Sequence, residues 1–369
     1  MKYYIIAGEA SGDLHGSNLI KEIKLNDAQA ELRAWGGDLM EAQGAKIIKN
    51  YKDLAFMGFL EVVANLTTII KNLNFCKKDI LEFNPDVLIL IDYPGFNLRI
   101  AEFAHENNIK VVYYISPQIW AWKQSRIHKI KKVVDLMLVI LPFEKQFYEQ
   151  FDYEVEFVGH PLLDAIANHQ VQNENWKAQN NLNELPIIAI LPGSRKQEIS
   201  SMLPIMLEAG DKFVGYQKVI AAAPGQLASF YDSFAEGYKN VTVVKGDTYT
   251  ILNNASGAMV TSGTATLEAA LFKVPEVVCY KGNELSYQIA KKLIKIKYIS
   301  LVNLIMDRVV VTELIQKELT VNNIVKELNK VLISDKRTSM LKDFDELTSK
   351  LGGRGASKNA ADQIQKFLV

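Results

Sequence analysis

Short apolar runs recur along the chain, and each is followed by a turn and then by a stretch of helix length. Such runs predict buried strands, which cover residues 2–7, 86–91, 111–115, 136–141, 187–191, 218–223, 241–244, 257–260 and 276–280. Strands that alternate with helix-length segments are typical of βαβ units and parallel sheets. The pattern therefore predicts an α/β fold made of doubly wound, Rossmann-like sheets.

The alternation of apolar runs and helix-length segments is interrupted between residues 168 and 186, which are polar and rich in asparagine. The run 187–191 then starts a second strand, turn and helix. Because 369 residues are too many for one typical core, we expect two Rossmann-like domains facing a cleft, at 1–170 and 171–350. Residues 351–369 form a C-terminal helix, for which packing back on the first domain is one arrangement.

Composition narrows the class of protein. Hydrophobic residues make up 49% and charged residues 23%, as in globular proteins. Lys+Arg and Asp+Glu both number 42, so no net charge points to nucleic acid. Cys76 and Cys279 form neither a metal-binding spacing nor a disulfide framework, which favours a reducing compartment. No apolar run reaches the 18 residues that indicate a membrane-spanning helix, and the N-terminus is interpreted as a strand rather than a signal peptide.

Residues 54–70 are amphipathic, with apolar side chains at helical spacing and lysines following. Most helices of this kind pack on a core. The alternative is an apolar lip that contacts acyl chains or a membrane surface. The candidates for that contact are Phe56, Met57, Phe59, Val62, Val63 and Leu66.

Trp120 and Trp122 precede a cationic run that ends at Lys132. Aromatic rings beside cations suit a membrane interface or an acidic lipid head group. A solvated helix face with two core-anchoring tryptophans explains the same pattern. A further group of lysines lies at 291, 292, 295 and 297.

The first predicted strand runs into a glycine-rich loop at 8–16, where Glu9, Ser11, Asp13 and His15 lie at the carboxyl end of the strand. Ligands bind at that end in open α/β sheets. The loop does not match G-x-G-x-x-G, which disfavours a dehydrogenase. For Asp13, capping of a helix is the alternative.

Asp92 stands at the end of the most apolar strand, before a turn that contains Pro94 and Gly95. Its position makes it the first candidate for a general base, with helix capping as the alternative. Asn97, in the same turn, is a candidate substrate ligand.

Two turns in the second half suit a diphosphate. Arg195 follows Ser194 at a predicted helix start, and its guanidinium can bind two phosphate oxygens. The run 258–270 reads as strand, tight turn and helix N-terminus, where free amides favour an anion. Glu268, one helical turn on, could accept hydrogen bonds from ribose hydroxyls. Ordinary helix capping is the alternative. The binding candidates in this turn are Ser262, Gly263, Thr264, Thr266 and Glu268.

Nine motifs together resemble the lipid-A-disaccharide synthase family, the inverting glycosyltransferases of lipid A biosynthesis. They are G-E-A-S-G-D-L-H-G at 8–16, M-G-F-L-E-V at 57–62, I-D-Y-P-G-F-N at 91–97, S-P-Q-I-W-A-W at 116–122, L-P-F-E at 141–144, G-H-P at 159–161, L-P-G-S-R at 191–195, T-S-G-T-A-T-L-E at 261–268 and S-L-V-N-L at 300–304. They span nearly the whole chain in order. Val302 and Arg354 stand where the family usually has proline, which affects loop geometry more than chemistry.

The resemblance implies the two-domain glycosyltransferase-B fold and a metal-independent enzyme without a cofactor. It implies UDP-2,3-diacylglucosamine as donor, 2,3-diacylglucosamine 1-phosphate as acceptor, and the β-1,6-linked disaccharide 1-phosphate and UDP as products. It also implies a cytoplasmic enzyme associated peripherally with the inner membrane of a Gram-negative bacterium.

On this reading the first domain binds the acceptor and the second the UDP-sugar. Asp92 or His15 takes the proton of the acceptor 6-hydroxyl, and Arg195 stabilises the departing UDP. Asn303 binds donor or acceptor. The sequence leaves the choice of base and the oligomeric state open. A nucleotide-sugar epimerase of the same fold and a non-catalytic lipid-binding protein remain as alternatives.

Overall fold

A computed structural model describes residues 1–53, 66–169, 175–223, 225–284, 287–288 and 296–369. The chain divides into two compact units, one formed by 1–168 with 351–369 and the other by 169–350. Each unit contains one parallel sheet with helices packed around it. The prediction of an α/β fold with two doubly wound sheets is confirmed.

The sheet of the first unit has seven strands in the order β3-β2-β1-β4-β5-β6-β7. Its strands are β1 (Lys2–Ala7), β2 (Glu31–Gly36), β3 (Lys46–Asn50), β4 (Val87–Ile91), β5 (Lys110–Tyr114), β6 (Leu136–Val139) and β7 (Glu156–Phe157). Its helices are α1 (Ala10–Asn26), α2 (Asp38–Ala42), α3 (Leu66–Phe83), α4 (Pro94–Glu106), α5 (Ile127–Val133), α6 (Pro142–Glu149) and α7 (Leu162–Asn168).

The sheet of the second unit has six strands in the order β10-β9-β8-β11-β12-β13. Its strands are β8 (Ile187–Leu191), β9 (Gln217–Ala222), β10 (Val241–Lys245), β11 (Ala255–Thr261), β12 (Glu276–Tyr280) and β13 (Thr312–Ile315). Its helices are α8 (Trp176–Gln179), α9 (Lys196–Asp211), α10 (Ala228–Ala235), α11 (Thr248–Asn253), α12 (Thr264–Leu271), α13 (Leu301–Met306), α14 (Val321–Ile333) and α15 (Asp335–Lys350).

The last helix, α16 (Ala356–Leu368), belongs to the first unit and packs against α1. The amide of Asn26 donates to the Asp362 carboxylate across this contact (2.9 Å). Gly352, Gly353 and Gly355 all have positive φ angles, which glycine adopts without steric cost. The chain can therefore turn sharply from α15 into α16.

The central strands are apolar throughout because helices cover both faces of each sheet. All five residues of β4, and all five of β8, are buried. Burial on both faces is typical of parallel sheets. Among the described residues, no helix combines the length and apolar character needed to cross a bilayer.

Candidate active site

Each sheet has a point at which its strand order reverses, and the predicted site residues follow the two strands that meet there. In the first unit β1 pairs with β4, so the loops after Ala7 and Ile91 leave the sheet side by side. In the second unit β8 pairs with β11, so the loops after Leu191 and Thr261 also leave the sheet side by side. Such switch points are where ligands bind in open α/β sheets.

In the first unit the loops after β1 and β4 touch closely at Gly8. A Cβ atom there would lie 2.4 Å from the ring of Tyr93, so only glycine fits. Asp92 and Tyr93 both adopt left-handed backbone angles, with φ of 45° and 49°. This conformation is strained for residues with side chains.

The strained turn is held by hydrogen bonds to two successive backbone carbonyls. The backbone oxygen of Asp92 accepts from the Tyr113 hydroxyl (2.6 Å) and from the Asn97 amide (2.7 Å). The same amide donates to the carbonyl of Ile91 (3.2 Å). Asn97 itself is fully buried. In this structure its amide nitrogen braces the turn that carries Asp92, and its contact with substrate stays a prediction.

The Asp92 carboxylate is partly buried. Burial and the nearby Glu9 carboxylate raise its pKa from 3.8 to about 6, and a hydrogen bond from the backbone of Tyr93 offsets part of that rise. A carboxylate with this pKa is ionised at neutral pH yet more basic than an ordinary aspartate.

His15 lies on α1, and its Nδ1 atom is buried without a hydrogen-bond partner in the described part of the chain. Burial lowers its pKa to about 4, although Asp164 acts in the opposite direction. Burial also lowers the pKa of His160 to about 3, and the nearby His15 contributes to that fall. Both imidazoles are therefore neutral at pH 7, and His15 is a much weaker base than Asp92.

Asp13 is also buried on α1, and its carboxylate accepts hydrogen bonds from within the protein. It accepts from the backbone amides of Gly37 (2.8 Å), Leu39 (3.2 Å) and Met40 (3.1 Å) at the start of α2. Asp13 thus caps a helix that is distant in sequence, the alternative that the sequence offered, and its contact with substrate stays a prediction. Glu9 is partly buried and Ser11 exposed, so both remain candidates.

In the second unit the turns after β8 and β11 both lead into helices. Arg195 is the residue before α9, is 58% exposed, and pairs with Glu198 (3.2 Å). Ser194 is exposed beside it. Gly263 precedes α12 with a φ angle of 152°, and Gly263 and Thr264 are exposed. The two turns thus present a cation and a helix N-terminus to solvent at the switch point.

Two predicted hydroxyl ligands in this turn have internal partners. Ser262 donates to the carbonyl of Ile299 (2.8 Å), and Thr266 donates to that of Gly263 (2.9 Å). Thr266 is fully buried, with its hydroxyl bonded to the residue that precedes its own helix, and its contact with substrate stays a prediction. Ser262 stays partly exposed and remains a candidate.

Glu268 is partly buried on α12. Burial raises its pKa to about 7, and a hydrogen bond with Tyr249 works against that rise. The Tyr249 ring packs edge-on against His169 (5.4 Å between centroids), which in turn lies 3.2 Å from the hydroxyl of Thr250. Sequence reasoning missed Tyr249, because its link to Glu268 joins two helices that no motif connects.

Asn303 is also buried, and both the oxygen and the nitrogen of its side-chain amide form two hydrogen bonds. Its oxygen accepts from the backbone amides of Val310 (2.8 Å) and Val311 (3.0 Å). Its nitrogen donates to the carbonyl of Val311 (2.9 Å) and to Glu313 (2.9 Å). Glu313 also accepts from the backbone of Ile299 and Ser300. Asn303 therefore braces the loop that holds Ser262 in place, and its contact with substrate stays a prediction.

Trp120 and Trp122 differ in how far their side chains are exposed to solvent. Trp120 is 9% exposed and packs edge-on against Phe143 (5.0 Å), while Ser116 donates to the buried Glu144. The motifs at 116–122 and 141–144 therefore contact each other, which favours the core-anchoring alternative for Trp120; its contact with a membrane stays a prediction. Trp122 is 43% exposed, and Lys123 lies over its ring at 4.4 Å.

The remaining predicted acyl contacts, Phe56, Met57, Phe59, Val62 and Val63, lie outside the described residues. Leu66 begins α3. Cys76 and Cys279 are both buried and free.

The family model of lipid-A-disaccharide synthetase matches residues 3–367. The lipid-A-disaccharide synthase of Trichlorobacter lovleyi is 37% identical over 370 residues, which cover 99% of this chain and 97% of that protein. That of Psychromonas ingrahamii is 39% identical over 375 residues, covering 99% and 97%.

Solved structures with low identity share the fold. The UDP-GlcNAc 2-epimerase from Neisseria meningitidis bound to UDP-GlcNAc superposes with a TM-score of 0.70 at 13% identity, covering 99% of this chain and 100% of that one. The glycotransferase of kitacinnamycin gives 0.66 at 14%, covering 99% and 98%. These likenesses show the fold alone. The match of the family model and of the relatives over nearly the whole length shows that this chain belongs to the lipid-A-disaccharide synthase family of glycosyltransferases.

Proposed function

We propose that the enzyme transfers 2,3-diacylglucosamine from its UDP conjugate to the 6-hydroxyl of 2,3-diacylglucosamine 1-phosphate. The observation that carries this assignment is the pair of switch points. One carries a carboxylate of raised pKa after β4, and the other carries Arg195 and the N-terminus of α12. A base and an anion site are the two groups that an inverting transfer from a nucleotide diphosphate needs.

In the proposed reaction the acceptor O6 attacks the anomeric carbon of the donor. The O6 proton passes to the Asp92 carboxylate, and a new C1–O6 bond forms. The bond between C1 and the β-phosphate oxygen breaks with its electron pair, which leaves on UDP. Attack from the face opposite UDP inverts the anomeric centre.

Donor binding is assigned to the second unit. Arg195 neutralises charge that develops on the diphosphate, and the amides at the start of α12 donate to its oxygens. Glu268, held by Tyr249, accepts from the ribose hydroxyls. Ser194, Ser262 and Thr264 are the remaining exposed or partly exposed groups in these turns.

The test is acceptor dependence. Purified enzyme is incubated with the UDP-sugar donor with and without the lipid monosaccharide phosphate, and UDP and disaccharide are quantified. We expect one UDP for each disaccharide and negligible UDP without acceptor. Conversion of the donor without acceptor would favour an epimerase, and no turnover with either substrate would favour a lipid-binding protein.

We further infer that the first unit contacts the inner-membrane surface from the cytoplasmic side. Helix α3 exposes Ile70 (49%) and Leu81 (53%), three turns apart on one face, with Lys71 and Lys78 beside them. Apolar side chains flanked by lysines suit an anionic bilayer surface.

Sedimentation with phosphatidylglycerol vesicles tests this contact. Ile70→Ser with Leu81→Ser should reduce the bound fraction, while Leu25→Ser, which removes another exposed leucine (73%), should not. Equal binding of the double variant and the control would contradict the proposal.

A further inference from the structure

A polar cavity of about 310 Å³ opens in the first unit between α1, α7 and the start of α16. Its lining is unlike that of an ordinary surface groove, because most side chains carry charge or hydrogen-bonding groups. They are Asn18, Lys21, Glu22, Asp164, Arg354, Ser357 and Lys358.

Several polar atoms at this cavity have no partner among the described residues. Ser357 is 3% exposed, yet its Oγ atom makes no hydrogen bond, and neither does the buried Nδ2 atom of Asn18. Buried polar groups in folded proteins are nearly always satisfied, so unpartnered groups that line a cavity point to a ligand.

The charges at the cavity favour an anion. Lys21 and Arg354 are exposed and form no ion pair within the described chain, whereas Lys358 is paired with Asp362 (2.6 Å). The carboxylate of Asp164 is already used, since its two oxygens accept from the backbone amides of Gly355 (2.6 Å) and Ser357 (2.9 Å).

Two free cations with a hydroxyl and an amide suit a phosphomonoester, because Arg and Lys bind its oxygens with charge-assisted hydrogen bonds. Glu22 adds an acceptor that suits a sugar hydroxyl. The cavity volume exceeds that of one phosphate group, which leaves room for part of a sugar ring.

Tyr114 links this cavity to the proposed base. Its backbone carbonyl accepts from the backbone amide of Asp92 (3.2 Å). Its side chain is fully buried and lies near the hydroxyl of Ser357, which is one of the residues lining the cavity. Ser357 at the cavity is therefore linked through Tyr114 to the turn that carries Asp92.

We propose that this cavity is a phosphomonoester-binding site, with Lys21 and Arg354 as its cations, and that the 1-phosphate of the acceptor occupies it. The second part rests on the proposed function. The site would hold the acceptor by its phosphate end while the 6-hydroxyl lies at Asp92.

Binding is measured by titration calorimetry with glucosamine 1-phosphate, with inorganic phosphate and with neutral glucosamine. We expect glucosamine 1-phosphate to bind and glucosamine not to. Lys21→Ala with Arg354→Ala should weaken that binding at least about tenfold, as expected for loss of charge-assisted bonds. Lys366→Ala, which removes an exposed lysine from the same helix as Ser357 outside the cavity, should bind as wild type does.

Kinetics distinguish the source of the phosphate. In the Lys21 and Arg354 double variant the KM for the acceptor should rise about tenfold or more, while the KM for the donor is unchanged. A site that binds inorganic phosphate as tightly as the sugar phosphate, with an unchanged acceptor KM, would overturn its assignment to the acceptor.

Absence of binding by either phosphate, or equal binding by the double variant and Lys366→Ala, would overturn the site itself. Ser357→Ala provides a second variant that keeps both cations and the backbone amide that caps Asp164, and it should also weaken binding. If the enzyme fails to transfer sugar from any UDP donor while binding still depends on Lys21 and Arg354, the proposed function fails and the phosphomonoester site stands.

Discussion

Replacing Asp92 by asparagine should lower turnover and raise stability at the same pH. The carboxylate has a pKa raised from 3.8 to about 6, mainly by burial and secondly by Glu9. Above pH 6 it is ionised in both the folded and the unfolded chain, and the folded state bears the full cost of that charge. Below about pH 4 it is protonated in both, and the cost disappears.

The size of the effect follows from the pKa difference. At about 1.4 kcal/mol for each pKa unit, the buried charge costs the fold about 3 kcal/mol at pH 8 and roughly half of that at pH 5. Partial exposure of the side chain makes these figures upper bounds. Loss of a general base lowers kcat by about 10²- to 10⁴-fold.

Urea unfolding at pH 8 and pH 5 measures the change in the free energy of unfolding, and the substitution Asp152→Asn at an exposed position is the control. Asp92→Asn should be more stable than wild type, by more at pH 8 than at pH 5, and Asp152→Asn should show no such dependence. An Asp92→Asn enzyme with near-normal turnover would refute the assignment of the base.

The pH profile gives an independent measure. The value of kcat/KM should fall tenfold for each pH unit below about 6, as Asp92 becomes protonated. Glu9→Gln removes the neighbouring charge and should shift that limb to lower pH. If the fall of kcat/KM in Glu9→Gln begins at the same pH as in wild type, or at a higher pH, the electrostatic argument is contradicted.

Three further predictions concern the second unit. Arg195→Ala should reduce kcat/KM by about 30- to 1,000-fold, or ~2–4 kcal/mol of transition-state stabilisation, while Gln197→Ala serves as a control with little effect. Tyr249→Phe should raise the pKa of Glu268 above about 7, so that the donor KM increases at pH 7 and recovers at pH 9. Asn303→Ala should lower the free energy of unfolding by about 2–4 kcal/mol, because four buried hydrogen bonds are lost; unchanged thermal stability with a raised donor KM would instead indicate direct contact with substrate.

The sequence allowed the central strands and the loops at their ends to be predicted because their signals are local, whereas β2, β3, β7 and β13 were not predicted. A run such as 87–91 is apolar at every position, and the residue after it must lie at the edge of the sheet. The positions of Asp92 and Arg195 could thus be predicted without tertiary information. The order of the strands, which turns two separate loops into one site, came from the structure.

The sequence did not reveal the intramolecular partners of several candidate residues, because those partners are distant along the chain. Asp13 bonds to amides at 37–40, and Asn303 to amides at 310–311. Trp120 is covered by Phe143 from another helix. A polar or aromatic residue inside a motif has the same local appearance whether it touches a ligand or braces the loop that does. Only the tertiary contacts distinguish the two.

The location of bound UDP tests the central claim most directly. A crystal structure of the enzyme with UDP should place the diphosphate within hydrogen-bonding distance of the Arg195 guanidinium and the amides at 263–265, with the ribose hydroxyls on Glu268. A diphosphate bound instead at the loop 8–16 of the first unit, with the turns at 191–198 and 261–268 empty, would contradict the account.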